Sequence, residues 1–320
     1  MTTIAVVIPL YNKGLHIRRA LDSVLSQTRQ PDEIIVVDDN SSDEGPAEVA
    51  KYIDKRIRLF RRATPGPGGY AARNLAIENA SARWIAFLDA DDAWTPNHLA
   101  AIERLIEASA ADSTMVGVFS GYEIVEPDGA RRADRYTRRY GRDQVDFLDF
   151  PKLLKTWLEL GDCPLWTSAS VFRREILHEA GLFPAGRCSR GGDKDLWLRI
   201  GKLGRLAACP DVTAVYYRDS INMVTRSQTT NVRHCMCETI NAMLARGRDE
   251  LRVPLRRLFN QEVFNYSVYA LKAGRVDSAV WRGYFAYESP FKFLILTAAS
   301  IPILSTVVRG AYSAWLRLRR

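Results

Sequence analysis

The sequence predicts an α/β protein: a mostly parallel sheet flanked by helices, followed by a helical C-terminal tail. Three observations carry this. Short β-branched runs alternate with helix-period patterns through roughly the first 120 residues, the signature of strand–helix–strand units rather than hairpins. Hydrophobic residues make up 47% and charged residues 26%, an ordinary globular balance that excludes disorder and collagen-like repeats. Beyond about residue 229 the pattern turns helical and basic, which divides the 320 residues into an α/β domain over 1–228 and a C-terminal region over 229–320.

Residues 4–8, Ile-Ala-Val-Val-Ile, read as a buried strand, and 15–26 as a helix with Ile17, Ala20, Leu21, Val24 and Leu25 on one face. A second strand follows at 33–37, a weak helix at 47–53 and a third strand at 57–60. The pattern predicts a helix over 70–79 and a fourth strand over 84–88. Thr95-Pro96 reads as an N-cap with proline in the first turn, opening a helix to about 109. A strand at 115–119 comes next. From 128 to 165 the pattern loosens around the basic run 131–142. A strand at 167–172, a helix at 195–203 and a late strand at 213–217 complete the domain. There is no internal repeat.

The net charge of +8 is uneven. Residues 246–320 carry 13 Lys+Arg against 5 Asp+Glu, whereas the preceding residues balance. A neutral body with a basic, apolar tail points to an anionic membrane surface and not to nucleic acid. The tail run 291–308 is interrupted by Lys292, Pro302 and several hydroxyl residues, so it is too polar for a clear span. Residues 288–320 are therefore read as lying on the inner face of the cell membrane, with Trp315 and the terminal arginines at the headgroups. The short first apolar run lacks the form of a signal peptide. The five cysteines, Cys163, Cys188, Cys209, Cys235 and Cys237, then read as reduced cytoplasmic thiols.

In parallel α/β sheets, ligands bind beyond the carboxyl ends of the strands. Acidic turns sit there after the second strand (Asp38-Asp39-Asn40-Ser41-Ser42-Asp43) and after the fourth (Asp89-Ala90-Asp91-Asp92). Alone, each is explained by the turn preference of Asp and Asn. Together on one sheet edge they would repel unless a cation lies between them. Asp89-x-Asp91 suits Mg²⁺ or Mn²⁺ held by one or two carboxylates and completed by substrate phosphates. Such an ion assists departure of a diphosphate.

Four segments in order, Val7-Ile8-Pro9-Leu10-Tyr11-Asn12, Val37-Asp38-Asp39-Asn40-Ser41-Ser42-Asp43, Gly68-Gly69-Tyr70-Ala71-Ala72-Arg73-Asn74 and Phe87-Leu88-Asp89-Ala90-Asp91-Asp92, resemble the successive motifs of family 2 glycosyltransferases. The resemblance extends through Gly181-Leu182-Phe183 and Asp193-Lys194-Asp195-Leu196-Trp197, and covers roughly 1–220. It implies a GT-A-like fold and metal-assisted, inverting sugar transfer from a nucleotide-diphosphate donor, commonly a UDP-sugar. The acceptor would be a hydroxyl of a lipid-linked or growing saccharide, as in bacterial surface-polysaccharide assembly. By the same resemblance Pro9, Tyr11, Asp39, Arg73 and Asp89 would bind the nucleotide, Asp39 through its base. Asp91 would be the nearest metal ligand, and Asp193 would deprotonate the acceptor.

Two departures stand out. Gly192 occupies the position before Asp193 where the family usually has Glu. After Tyr217-Arg218-Asp219-Ser220, where members often carry a histidine, none comes until His234. These favour, as the alternative, a catalytically impaired nucleotide-sugar-binding or membrane scaffold protein. A dinucleotide-dependent oxidoreductase is weaker, because Gly66-Pro67-Gly68-Gly69-Tyr70-Ala71 follows the third strand and not the first. Asp195, Trp197 and the four histidines read as structural.

Overall fold

A computed structural model of the chain describes residues 2–141, 144–188, 190–220, 234–247, 249–272 and 276–318. Two compact units emerge, one comprising Met1–Leu153 and Cys163–Met223, the other Leu154–Asp162 and Val224–Arg320. The expected boundary at 228/229 lies outside the described residues. Assignment of 154–162 to the second unit has no counterpart in the sequence reading.

The strands are β1 Ile4–Leu10, β2 Glu33–Asp38, β3 Ile57–Arg61, β4 Trp84–Phe87, β5 Ala93–Trp94, β6 Met115–Val125, β7 Arg131–Ala133, β8 Asp146–Leu148, β9 Ser170–Arg173 and β10 Arg205–Tyr217. The first unit's helices are α1 Ile17–Leu25, α2 Gly45–Ala50, α3 Tyr70–Asn79, α4 His98–Ala108, α5 Arg135–Tyr140, α6 Phe150–Leu160 (which runs on into the second unit), α7 Arg174–Glu179 and α8 Gly192–Leu203. One sheet holds all the strands in the order β3-β2-β1-β4-β9-β6-β10-β5, with β7 beside β6 and β8 beside β10. Pairing is parallel across β3-β2-β1-β4 and between β6 and β10. It is antiparallel where β9 enters between β4 and β6, and at β5, β7 and β8. The sheet is thus mixed, with its parallel half built from the strand–helix units the sequence announces.

Alternation within β1 and β2 assigns side chains to the two faces. Ile4, Val6, Ile8, Ile34 and Val36 share a buried core with Ile17, Leu21 and Val24 of α1 and with Leu99, Ile102 and Leu105 of α4. On the opposite face, α3 packs on β1 and β2. There Trp197 of α8 is fully buried and stacks on Phe172 at 4.5 Å, with Phe87 and Phe183 around it. Trp197 is a core residue, as expected. With both faces covered, the free part of the sheet is its edge, where β1, β2 and β4 end.

The second unit adds α9 Met236–Arg246, α10 Asp249–Lys272, α11 Pro290–Ser300 and α12 Pro302–Leu318. Tyr266, Ala270, Leu271, Val276, Val280 and Ala299 form its small core, and the buried Glu262 accepts the Trp157 indole N–H at 2.9 Å. Among the described residues no helix is long and apolar enough to cross a membrane. Arg319 and Arg320 of the tail reading lie outside the described residues. Cys163, Cys209 and Cys237 carry reduced thiols, whereas Cys188 is disulfide-bonded, which corrects the expectation of uniformly reduced cysteines.

Candidate active site

Because β1, β2 and β4 run parallel, the residues following each strand meet along one edge. Tyr11 is exposed just beyond β1. Asn12 takes a left-handed φ of 50°; its backbone N–H donates to Ser41 Oγ at 3.0 Å and its Oδ1 accepts the Ser42 N–H at 2.8 Å. The first turn is thereby tied to the acidic turn after β2. Asp39 in that turn is buried. One of its oxygens pairs with Arg62, and the other accepts the Gly66 N–H at 3.0 Å. Both oxygens proposed for a nucleotide base are therefore engaged within the chain.

The loop held by Asp39 leads to Gly68 and Gly69, with φ of 71° and 66°. Side-chain-bearing residues are strained there, so glycine is the fitting choice. A Cβ on Gly69 would stand 3.5 Å from Pro9 and 3.4 Å from the Arg73 guanidinium, which brings Pro9, Gly69 and Arg73 together. Arg73 is buried and not the solvated surface arginine that a helix position suggests by default. Its Nη1 donates to Gly68 O at 2.8 Å and its Nη2 pairs with Asp89 at 2.5 Å.

The turn after β4 concentrates charge. Asp91 pairs with Lys13 at 2.8 Å, and Lys13 also donates to Ser220 Oγ. The backbone oxygen of Asp91 accepts from Arg19, which holds Asp219 through two further bonds of 2.9 and 3.1 Å. Asp92 is buried, accepting from Ser168 Oγ at 2.7 Å and from the Tyr217 N–H at 3.2 Å. Burial pushes the Asp92 carboxyl well above its ordinary range, and the charges of Asp91 and Asp89 push the same way. Burial also raises Asp89; Arg73 opposes this, and the neighbouring Asp91 charge adds to it. For Asp91 burial acts upward too, but the Lys13 ammonium and the Ser220 hydroxyl outweigh it and hold the group low. His16, given no role in the sequence reading, lies within electrostatic reach of Asp91, Asp219 and Lys13.

Asp193 stands in the first turn of α8, partly buried, with Thr167 Oγ1 at 3.5 Å. Its charge acts on both Asp89 and Arg73, so the base candidate and the paired carboxylates share one neighbourhood. Asp195 is different. It is fully buried and bonded to Arg199, a structural ion pair. Among the described residues no three His, Cys, Asp or Glu side chains are grouped as a metal cage. The hard oxygen pair Asp89 and Asp91 nevertheless fits Mg²⁺ or Mn²⁺, which takes one or two protein carboxylates and the rest of its ligands from water and phosphate.

The residues missed from sequence are the cations and hydroxyls: Lys13, Arg19, Arg62, Ser168 and Ser220. One signal for Lys13 was present, a lysine in the first strand–helix turn of a sheet whose other turns are acidic.

An α/β sheet with helices on both faces and an acidic, arginine-bearing carboxyl edge is the architecture of a GT-A-like domain. The sequence model of glycosyl transferase family 2 matches residues 5–181, and the chain belongs to that family of glycosyltransferases. It is 31% identical over 199 residues to an uncharacterized glycosyltransferase of Rickettsia bellii, covering 62% of this chain and 26% of that protein. It is 27% identical over 284 residues to one of Rickettsia prowazekii, covering 86% and 82%. The succinoglycan biosynthesis protein ExoO of Rhizobium meliloti is 41% identical over 124 residues, 38% of this chain and 34% of that protein. This chain thus spans about a quarter of the R. bellii protein and about a third of ExoO. Among solved structures, S. aureus TarS 1–349 in complex with UDP-GlcNAc matches with a TM-score of 0.67 at 14% identity, over 95% of this chain and 80% of that one. GalNAc-T7 with UDP, GalNAc and Mn²⁺ matches with a TM-score of 0.50 at 18% identity, over 68% and 44%. At these identities the structures share the fold.

Proposed function

We propose that this glycosyltransferase moves a sugar from a nucleotide-diphosphate donor, a UDP-sugar, to a hydroxyl of a lipid-linked or growing saccharide, with inversion at the anomeric carbon. The observation that carries the reading is the convergence of Asp89, Asp91, Asp193 and Arg73 on one sheet edge, close enough for Asp193 to act electrostatically on Asp89 and Arg73. The UDP-bearing TarS and GalNAc-T7 structures support the uridine donor, and the succinoglycan relative ExoO supports the saccharide acceptor.

In this reading Pro9, Tyr11, Asp39 and Arg73 line the nucleoside side, and Asp89 and Asp91 face the diphosphate. Bound there, Mg²⁺ or Mn²⁺ would supply Lewis-acid neutralisation of the leaving diphosphate. Lys13 must then exchange Asp91 for another partner, and the diphosphate oxygens are the nearest anions such a donor brings. Asp193 accepts the proton of the acceptor hydroxyl as that oxygen bonds to the anomeric carbon. The bond from anomeric carbon to phosphate oxygen breaks, and the nucleoside diphosphate departs with its electron pair.

The chain is further proposed to sit peripherally on the inner face of the cell membrane. Support comes from the basic excess of residues 246–320 and from the exposed Phe291, Leu294, Leu304 and Val307 on α11 and α12. Charge and apolar surface together are what an anionic interface binds.

Incubating the full chain with a panel of nucleotide-sugars, with and without Mn²⁺, tests the reading. The expected result is UDP-sugar hydrolysis that EDTA removes, that Asp91→Asn abolishes and that Asp193→Asn abolishes while sparing UDP binding. Wild-type rates in both variants would overturn the site assignment. UDP binding without turnover of any donor would instead favour the impaired nucleotide-sugar-binding protein.

A further inference from the structure

Tyr70, the first residue of α3, is 5% exposed, and its ring stacks on Phe183 with centroids 5.9 Å apart. The ring lies against two glycines from distant parts of the chain. A Cβ on Gly68 would stand 2.6 Å from its carbons, and a Cβ on Gly192 would stand 2.8 and 2.9 Å from them. Gly68 has a backbone reason to be glycine, its φ of 71°. Gly192 lies inside α8, where any residue's backbone is at home, so space alone requires glycine, and Tyr70 together with Pro184 removes that space. The Tyr70 hydroxyl also accepts the Gly192 N–H at 2.8 Å. That N–H belongs to the first turn of a helix, where backbone donors have no intrahelical partner. Asp193 is the next residue.

We propose that Tyr70 is a positioning residue: a strut that sets the first turn of α8, and so Asp193, against the glycine loop that approaches the donor. The role in turnover rests on the reading of Asp193 as the base; the strut itself does not. The small residue at 192 and the large ring at 70 form one device, in which the ring occupies the room a side chain at 192 would need. Its hydroxyl supplies the acceptor that keeps the turn in register. A shift of Asp193 by an ångström or so is enough to slow a proton transfer severely.

Tyr70→Phe keeps the ring and removes the acceptor. Expected are roughly tenfold faster hydrogen exchange at the Gly192 amide and UDP affinity within about twofold of wild type. With the UDP-sugar that the wild type hydrolyses fastest in Mn²⁺, kcat should fall about five- to tenfold while KM stays within about twofold. A double-mutant cycle tests the packing. Gly192→Ala should lower thermal stability far more beside Tyr70 than in the Tyr70→Ala background. Wild-type exchange and kcat in Tyr70→Phe, or an additive cycle, would overturn the proposal. If Tyr70→Ala fails to fold, the Tyr70→Phe measurements decide alone. Exchange and the cycle need no substrate, so they report on the strut even where Asp193→Asn turns over normally, the outcome that sinks the base assignment and not the strut.

Discussion

Two aspartates on α8 lie two residues apart and are expected to fail in opposite ways. Asp195 is fully buried and accepts from Arg199 Nε at 3.1 Å and Nη2 at 2.9 Å. Arg199 reaches on to the backbone oxygens of Ala180 and Leu182, the latter in a left-handed conformation with φ of 58°. Asp195 therefore fastens α8 to the turn that precedes it. Asp195→Ala leaves a largely desolvated guanidinium facing only carbonyls. Removing one partner of a buried pair costs roughly 3–5 kcal/mol. Arg199 retains its two carbonyl acceptors and some solvent contact, which places the cost near the lower end, about 3 kcal/mol. At about 2–4 °C per kcal/mol for a domain of this size, Tm should fall by roughly 6–12 °C.

Asp193 makes one long contact with Thr167, so Asp193→Asn should move Tm by less than about 2 °C while removing transfer. Differential scanning calorimetry and donor turnover on the same preparations separate the two. A Tm within about 2 °C of wild type for Asp195→Ala, or a collapse for Asp193→Asn, would show that the division of labour along α8 is misread.

Three further outcomes are expected. His98 is buried with Nδ1 bonded to Thr213 Oγ1 at 2.8 Å, and burial pushes its pKa from 6.5 down to about 3. The native imidazole thus stays neutral while the unfolded one takes a proton below 6.5. Its contribution is whole above pH 6.5 and is lost as pH falls toward 3, by about 2 kcal/mol at pH 5. His98→Gln should flatten the stability difference between pH 7 and pH 5 by that amount in urea titrations; an unchanged slope would refute it. Lys13→Met removes the resident cation of Asp91, so Mn²⁺ should bind roughly tenfold tighter at pH 8, about 1.4 kcal/mol. Burial would then act on Asp91 without that counterweight, so the gain should shrink at pH 5.5; weaker binding at pH 8, read by electron paramagnetic resonance, would contradict this. Replacing Phe291, Leu294 and Val307 together by serine should cut sedimentation with anionic phospholipid vesicles at least about tenfold, since each apolar side chain withdrawn from water is worth about 1.5–3 kcal/mol when fully buried. Undiminished sedimentation would count against the tail as the anchor.

The parallel half of the sheet was legible because β1 and β2 are compact β-branched runs and α1 has a clear apolar face, whereas the weak helix expected over 47–53 lies at Gly45–Ala50. The helix over 70–79 appears with the bounds its pattern predicts. Strand β10 was read only over its last five residues because Pro210 and charged Asp211 break its pattern, and the structure carries register shifts at that stretch. Bulges of this kind are set by the neighbouring strand, not by local sequence. Strands β5, β7 and β8 are two or three residues long, too short for any period to register. Thr167–Ala169 forms a tight 3-10 turn ahead of β9 rather than strand, with Ser168 Oγ placed between Asp89 and Asp92. The carboxylates of the site were readable because strand ends announce them. Their pairings with cations were not, since Lys13 reaches Asp91 across 78 residues and Arg62 reaches Asp39 across 23.

Those cations change the electrostatic argument that first singled out the acidic turns. Clustered carboxylates need compensating charge, and the chain supplies much of it internally: Arg62 for Asp39, Arg73 for Asp89, Lys13 for Asp91 and Arg19 for Asp219. Repulsion between the turns therefore does not by itself demand a divalent ion. What it demands is that any ion or diphosphate entering this edge displace or share an existing partner. Asp91 and Asp89 answer that demand differently. Lys13 carries a compact charge on a flexible four-carbon stem with rotatable donors, whereas Arg73 is buried and fixed at Gly68 as well as at Asp89. The exchangeable pair is thus Lys13–Asp91, and it sits beside Ser220 and the Arg19–Asp219 pair at the end of β10.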